Sequence, residues 1–174
     1  MKEGKSKNEE NINENESASE SLYYKGIHLF VLAHGFQGNS FDLKMLKNYL
    51  NYMHPEAMFL CSLYNEESTE GDIEEMGKNL AKEITTFIAD NCSGDNLGRV
   101  SLIGFSLGGV ILRAALPYLQ EYADKMHTFL SLSSPHLGFM YNPSKIIDAG
   151  IWILKRWKKS TSLQQLTMTD SPDI

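Results

Sequence analysis

The chain has 174 residues, with 16 Lys and Arg against 22 Asp and Glu, a formal net charge of −6 and two cysteines. An acidic balance argues against general nucleic-acid binding, which favours a basic face, and Cys61 and Cys92 are too few for a disulfide framework. Lys25, Asp42, Asp72 and their charged neighbours interrupt every long apolar window, so no segment reads as a membrane span.

Residues 1–22, MKEGKSKNEENINENESASESL, hold almost no apolar side chains. They cannot bury enough surface to offset the entropy of ordering, and a disordered tail is expected. The tail has no apolar centre of a secretory signal and is too acidic for a mitochondrial transit peptide; with reduced cysteines this points to the cytoplasm. Residues 23–174 are then the folded unit.

Its first element is the apolar run Ile27–Ala33, of strand length and rich in β-branched and aromatic residues, which reads as a buried parallel strand. The strand ends in His34-Gly35-Phe36, and a helix is expected around Ser40–Tyr52 with Ser40 or Asn39 as its N-cap. A strand at Ala57–Ser62 follows, then the acidic stretch 66–71, read as a solvated surface because it lacks the ligand spacing of an EF-hand. Ile73, Met76, Leu80, Ile84, Phe87 and Ile88 recur at near-helical spacing, predicting a helix over Asp72–Asn91 capped by Asp72.

The next strand, Arg99–Gly104, runs directly into Gly104-Phe105-Ser106-Leu107-Gly108 and then into an apolar helical pattern over Leu107–Leu119. A strand that turns sharply into a helix can hold a serine at its apex in a strained conformation, with the hydroxyl projecting into a cleft. Gly104 and Gly108 remove the Cβ atoms that would collide with the turn and the incoming helix. The free N–H groups and positive end of the helix dipole beside Ser106 would favour an oxyanion there. Ser106 is therefore the candidate nucleophile. A last strand is expected at Met126–Leu132, followed by Ser134-Pro135-His136-Leu137-Gly138. Beyond it Ser144–Lys159 reads as a basic, aromatic amphipathic helix. Such a helix packs on the rest of the domain, lies at an anionic membrane surface as a peripheral contact, or acts as a lid over an acyl pocket. Alternating strands and helices predict a parallel sheet covered on both faces, with the first and third strands as neighbours.

The blocks HLFVLAHGFQGNSFDLK, VSLIGFSLGGVILR, HTFLSLSSPHLG and IWILKRWKKSTSLQQLT occur in this order over residues 27–169. With them the chain resembles the lipase-like serine esterase domain of eukaryotes in the α/β-hydrolase superfamily, and within it the esterase domain of the family with sequence similarity 135 proteins. The resemblance implies an ester hydrolase with Ser106 as nucleophile and His34, Gly35 and Phe36 as the oxyanion loop. The backbone N–H groups of Phe36 and Leu107 would be the two donors. His34 and His136 match positions that are more often structural neighbours of the site than the working base, because hydrolases of this fold order their triad Ser, then Asp or Glu, then His.

Family members continue past Leu166 to two further strands that bear the acid and the final histidine. The sequence accordingly reads as a C-terminally truncated α/β-hydrolase, and neither Asp170 nor Asp173 follows a recognisable strand. Two functions stay open at this point. One is a serine ester hydrolase acting on lipid or other acyl esters, with no metal or organic cofactor implied. The other is a catalytically silent hydrolase-like module that binds protein or lipid.

Overall fold

The computed structural model describes residues 26–92, 96–138 and 160–167. The polar tail, the basic segment Ser144–Lys159, Asp170 and Asp173 lie outside the described residues.

Four strands, β1 (Ile27–Ala33), β2 (Met58–Cys61), β3 (Leu97–Phe105) and β4 (Met126–Leu132), form one sheet in the order β2-β1-β3-β4. Every pairing is parallel, with Leu32 opposite Cys61, Ala33 opposite Gly104 and Phe105 opposite Leu132. The helices are α1 (Lys44–Met53), α2 (Ile73–Asn91), α3 (Leu107–Ala115) and α4 (Thr161–Leu166). The first and third strands are neighbours, as expected, and all four strand ends carrying the loops of interest point the same way.

Strand alternation divides the core between the two faces. Leu29, Val31 and Ala33 of β1 pack with Val100 and Leu102 against Met76, Leu80 and Ile84 of α2 and against Leu107, Val110 and Ile111 of α3. Phe30, Leu32 and Ile103 point the other way, onto Leu43 and the partly buried Leu46 and Leu50 of α1. Leu29, Leu80 and Leu112 are fully buried, and each such side chain contributes about 2 kcal/mol of transfer free energy. This is the α/β architecture expected, with helices on both faces.

Local chemistry sets the helix ends. Asp72 caps α2 by accepting from the Glu75 N–H at 2.9 Å. α1 departs from expectation: it begins at Lys44, and neither Asn39 nor Ser40 caps it. The Asn39 carboxamide oxygen instead accepts from the Phe41 N–H, and the Asp42 carboxylate accepts from the Asn39 N–H, so local side-chain bonds hold the chain in turns before the helix starts. α3 stops at Ala115 rather than Leu119 because Pro117 opens a short 3-10 turn, and proline offers no N–H to an α-helix.

The stretch 66–71 keeps its carboxylates toward solvent, Glu67 exposed and Glu66 and Glu70 partly so, but Thr69 within it and Asn65 before it turn inward. Asn65 and Thr69 are buried, and the Asn65 amide donates to the Met76 carbonyl at 2.9 Å.

Candidate active site

Ser106 stands at the junction of β3 and α3 with φ 53° and ψ −123°. A non-glycine residue in so sparsely populated a region is strained by about 1–3 kcal/mol, so its surroundings must hold it there. They do so on both sides: the Ser106 N–H donates to the Leu132 carbonyl at 2.8 Å, and the Ser106 carbonyl accepts from the Gly109 N–H at 3.2 Å. The side chain is half-buried.

The glycines around the turn are close-packing positions. A Cβ on Gly104 would run into the backbone of Gly108 and Gly109, and one on Gly108 would run into the carbonyl oxygens of Ala33 and His34. The start of α3 thus lies directly against the end of β1, an approach open only to glycine. Gly35 brings the next segment in, since a Cβ there would lie 3.1 Å from the Ser106 Cβ. The loop His34-Gly35-Phe36 and the serine turn are in contact.

Two backbone donors flank this contact. Leu107 is the first residue of α3, so its N–H has no partner within the helix, and Phe36 follows Gly35 in the abutting loop. Among the described residues neither N–H donates to a protein acceptor. The positive end of the α3 dipole lies at the same point.

The two histidines singled out from the sequence are engaged elsewhere. His34 is buried, and its Nδ1 lies 3.1 Å from the Gly35 carbonyl oxygen. His136 pairs its Nε2 with the Ser131 Oγ at 2.6 Å, while its Nδ1 is buried without a partner and its carbonyl accepts from Arg113 Nη1 at 2.6 Å. Among the described residues no histidine hydrogen-bonds the Ser106 hydroxyl. The structure therefore gathers Ser106, Leu107, Phe36, Gly35, Gly104 and Gly108 at one point. It ties His34 and His136 to the loops around them.

Residues to which the sequence assigned no part in the site complete the frame. The Gln37 N–H donates to the Thr69 hydroxyl at 2.9 Å, Gln37 Nε2 donates to Glu70 Oε1 at 2.6 Å, and the Ser40 N–H donates to Glu66 Oε1 at 2.6 Å. The bonds from Ser40 hold the Glu66 carboxyl below the usual carboxylate range. No local signal marks these partners, because they lie 26 to 33 residues apart in the chain. Among the described residues, no three His, Cys, Asp or Glu side chains gather as metal ligands would. A cavity of about 600 Å³ opens beside His136, between Val110 and Arg113 of α3 and Gln165 of α4.

Residues 24–172 match the family described as "Putative serine esterase (DUF676)". The chain belongs to this serine esterase family. Two yeast (Saccharomyces cerevisiae) relatives are each 32% identical to it. They are the "Putative lipase YDL109C", over 64% of this chain, and the "Putative lipase ROG1", over 68% of it. The bovine "Lysosomal thioesterase PPT2" is 28% identical over 62% of this chain. The aligned part spans about a fifth of the two yeast proteins, 18% and 19%, and 33% of the bovine one. Among solved structures, the NocB thioesterase domain in covalent complex with a fluorophosphonate nocardicin G analogue superposes with a TM-score of 0.47. Its identity is 14%, over 84% of this chain and 63% of that domain.

Proposed function

We propose that this member of the serine esterase family is an ester hydrolase that acts on lipid or other acyl esters through Ser106. The observation that carries the reading is the strained Ser106 turn at the end of a central parallel strand, with the Gly35 loop packed against it. In this reading the Ser106 hydroxyl attacks the acyl carbonyl and the Ser–O to acyl bond forms. The carbonyl oxygen takes up the negative charge between the N–H groups of Phe36 and Leu107. Collapse breaks the bond to the ester's alcohol oxygen, which leaves as the alcohol carrying the proton given up by the Ser106 hydroxyl; water then attacks the acyl-serine, the acid leaves, and one proton of the water restores the hydroxyl. Donors fixed before reaction, beside a helix N-terminus, stabilise such an oxyanion without reorganisation and are worth about 3 kcal/mol each in the barrier. A lipid or acyl ester as substrate accords with the yeast relatives' description as lipases, and the reading calls on no cofactor or metal.

One observation favours a second reading. With His34 and His136 both bonded elsewhere, Ser106 has no base among the described residues, and a serine hydroxyl without one is a weak nucleophile. A catalytically silent module that keeps the hydrolase frame for binding protein or lipid fits that arrangement. Two cysteines in a free state fit a reducing, cytoplasmic setting for either reading.

Treatment of the folded chain with a fluorophosphonate, followed by intact-mass analysis, tests the esterase reading. Adduct formation that disappears in Ser106→Ala supports the esterase. A folded chain that forms no adduct shows that no activated serine is assembled within these 174 residues, as expected of a silent module or of a hydrolase whose base lies in further sequence.

A further inference from the structure

We propose that Thr69 and Glu70 are positioning residues that hold Gln37 in place and thereby fix the preceding Phe36 N–H beside Ser106. The inference rests on the reading of that N–H as an oxyanion donor. Gln37 has φ 52°, a conformation that a non-glycine residue keeps only when its surroundings impose it. Both of its hydrogen-bonding ends are taken by consecutive residues: the main-chain N–H by the Thr69 hydroxyl and the side-chain amide by the Glu70 carboxylate. Anchoring the Gln37 N–H fixes the peptide plane on the C-terminal side of Phe36, and the Gly38 N–H, donating to the Gly35 carbonyl at 3.0 Å, holds the preceding plane, which carries the Phe36 N–H itself. Phe36 in turn is partly buried against the main core cluster.

The anchor is itself tied down from a distant part of the chain. The Ser162 hydroxyl donates to the Thr69 carbonyl at 2.7 Å, and the Ser160 hydroxyl and Ser162 N–H both donate to the Glu70 carbonyl at 3.4 Å. Ser160 and Ser162 are fully buried at the start of α4. Gln165 of the same helix donates to the Asp72 carboxylate and accepts from the Ile73 N–H. A continuous set of hydrogen bonds thus runs from α4 through residues 69 and 70 to Gln37. Thr69 is 3% exposed, so its hydroxyl serves the fold's interior rather than solvent. The consequence is a donor whose direction is set before any substrate arrives.

The test uses the full chain and two readouts: turnover of p-nitrophenyl butyrate, and amide exchange at Gln37 followed by NMR. Thr69→Val should lower kcat tenfold or more with KM within twofold of the parent, and should speed exchange at Gln37 at least tenfold. Thr69→Ser, which restores the hydroxyl, should recover both. Unchanged exchange at Gln37 in Thr69→Val overturns the clamp, whatever the turnover. Faster exchange with an unchanged kcat overturns the positioning role. A parent chain that does not turn over the ester at all counts against the esterase reading, and exchange alone then decides the clamp. If Thr69→Val does not fold, Glu70→Ala, which keeps the buried hydroxyl, carries the same two measurements.

Discussion

Gly35 and Ser106 touch: a Cβ built on Gly35 would come within 3.1 Å of the Ser106 Cβ and 3.3 Å of the Phe105 carbonyl oxygen. The loop after β1 and the turn after β3 therefore meet at the serine itself, and their separation leaves no room for a methyl group without movement. Gly35→Ala should displace one of the two by a few tenths of an ångström. We expect its fluorophosphonate labelling rate to fall about tenfold or more, because reacting groups moved out of alignment lose that order of rate. Its stability loss should stay near 1 kcal/mol. Labelling at the parental rate would show that this contact does not position the serine.

Gly108 meets a harder neighbour, since its Cβ would run into the carbonyl oxygens of Ala33 and His34 at the end of a central strand. Backbone of a paired strand cannot yield as a side chain can. Gly108→Ala should destabilise the fold by about 3 kcal/mol or more, measured by urea denaturation. A midpoint equal to the parent's would mean that α3 is free to shift along β1.

Glu83 is 5% exposed and accepts hydrogen bonds from the Ser62 hydroxyl at 2.7 Å and the Leu63 N–H at 2.8 Å. It joins α2 to the end of β2, next to the point where the Ser62 N–H donates to the Leu32 carbonyl. Glu83→Ala leaves two donors without their acceptor and should lower stability by about 3 kcal/mol. Glu83→Gln keeps one acceptor oxygen and should lose less than half of that. Equal losses in the two variants would assign the effect to packing rather than to hydrogen bonding.

His28 lies under the end of α1, its Nε2 2.8 Å from the Ser101 Oγ and its ring 5.4 Å from His127 and 6.2 Å from His54. Burial, and then the charges of Arg99, His127 and His54, push it from the ordinary histidine value of 6.5 down to about 4, with Glu56 acting weakly the other way. Because the folded-state value is the lower one, the unfolded chain takes up the proton first as pH falls. The stability tied to this group is therefore intact above pH 6.5, is lost between 6.5 and about 4, and falls no further below that. His28 is only partly buried, so after discounting for solvent screening the loss is about 1–2 kcal/mol. His28→Gln, which cannot titrate, should show a shallower decline of the urea midpoint between pH 6.5 and 4.5. Identical slopes would remove His28 from the acid response.

Much of the frame was legible in the residues themselves. Met126–Leu132 is a strand at the bounds its apolar and β-branched residues predict, and Asp72 caps α2 as its place before the periodic run suggests. Gly104 and Gly108 were readable as close-packing positions from the strand, turn and helix around Ser106. These features depend on neighbours within a few residues, where periodicity, capping and turn chemistry act.

What the sequence by itself determined is an α/β chain with Ser106 at a strand-to-helix turn, and the structure has that turn between β3 and α3. Only the tertiary structure decided what surrounds that serine. It bonded His136 to Ser131 and His34 to its own loop, and it turned the acidic stretch 66–71 into the support of Gln37 and Ser40. The same holds for α4, whose Ser162 reaches Thr69 across 93 residues. Hydrogen bonds at that separation leave no periodic or local signature in the chain. They exist because the sheet and helices, once packed, bring distant polar groups together where water is excluded and each must find a partner.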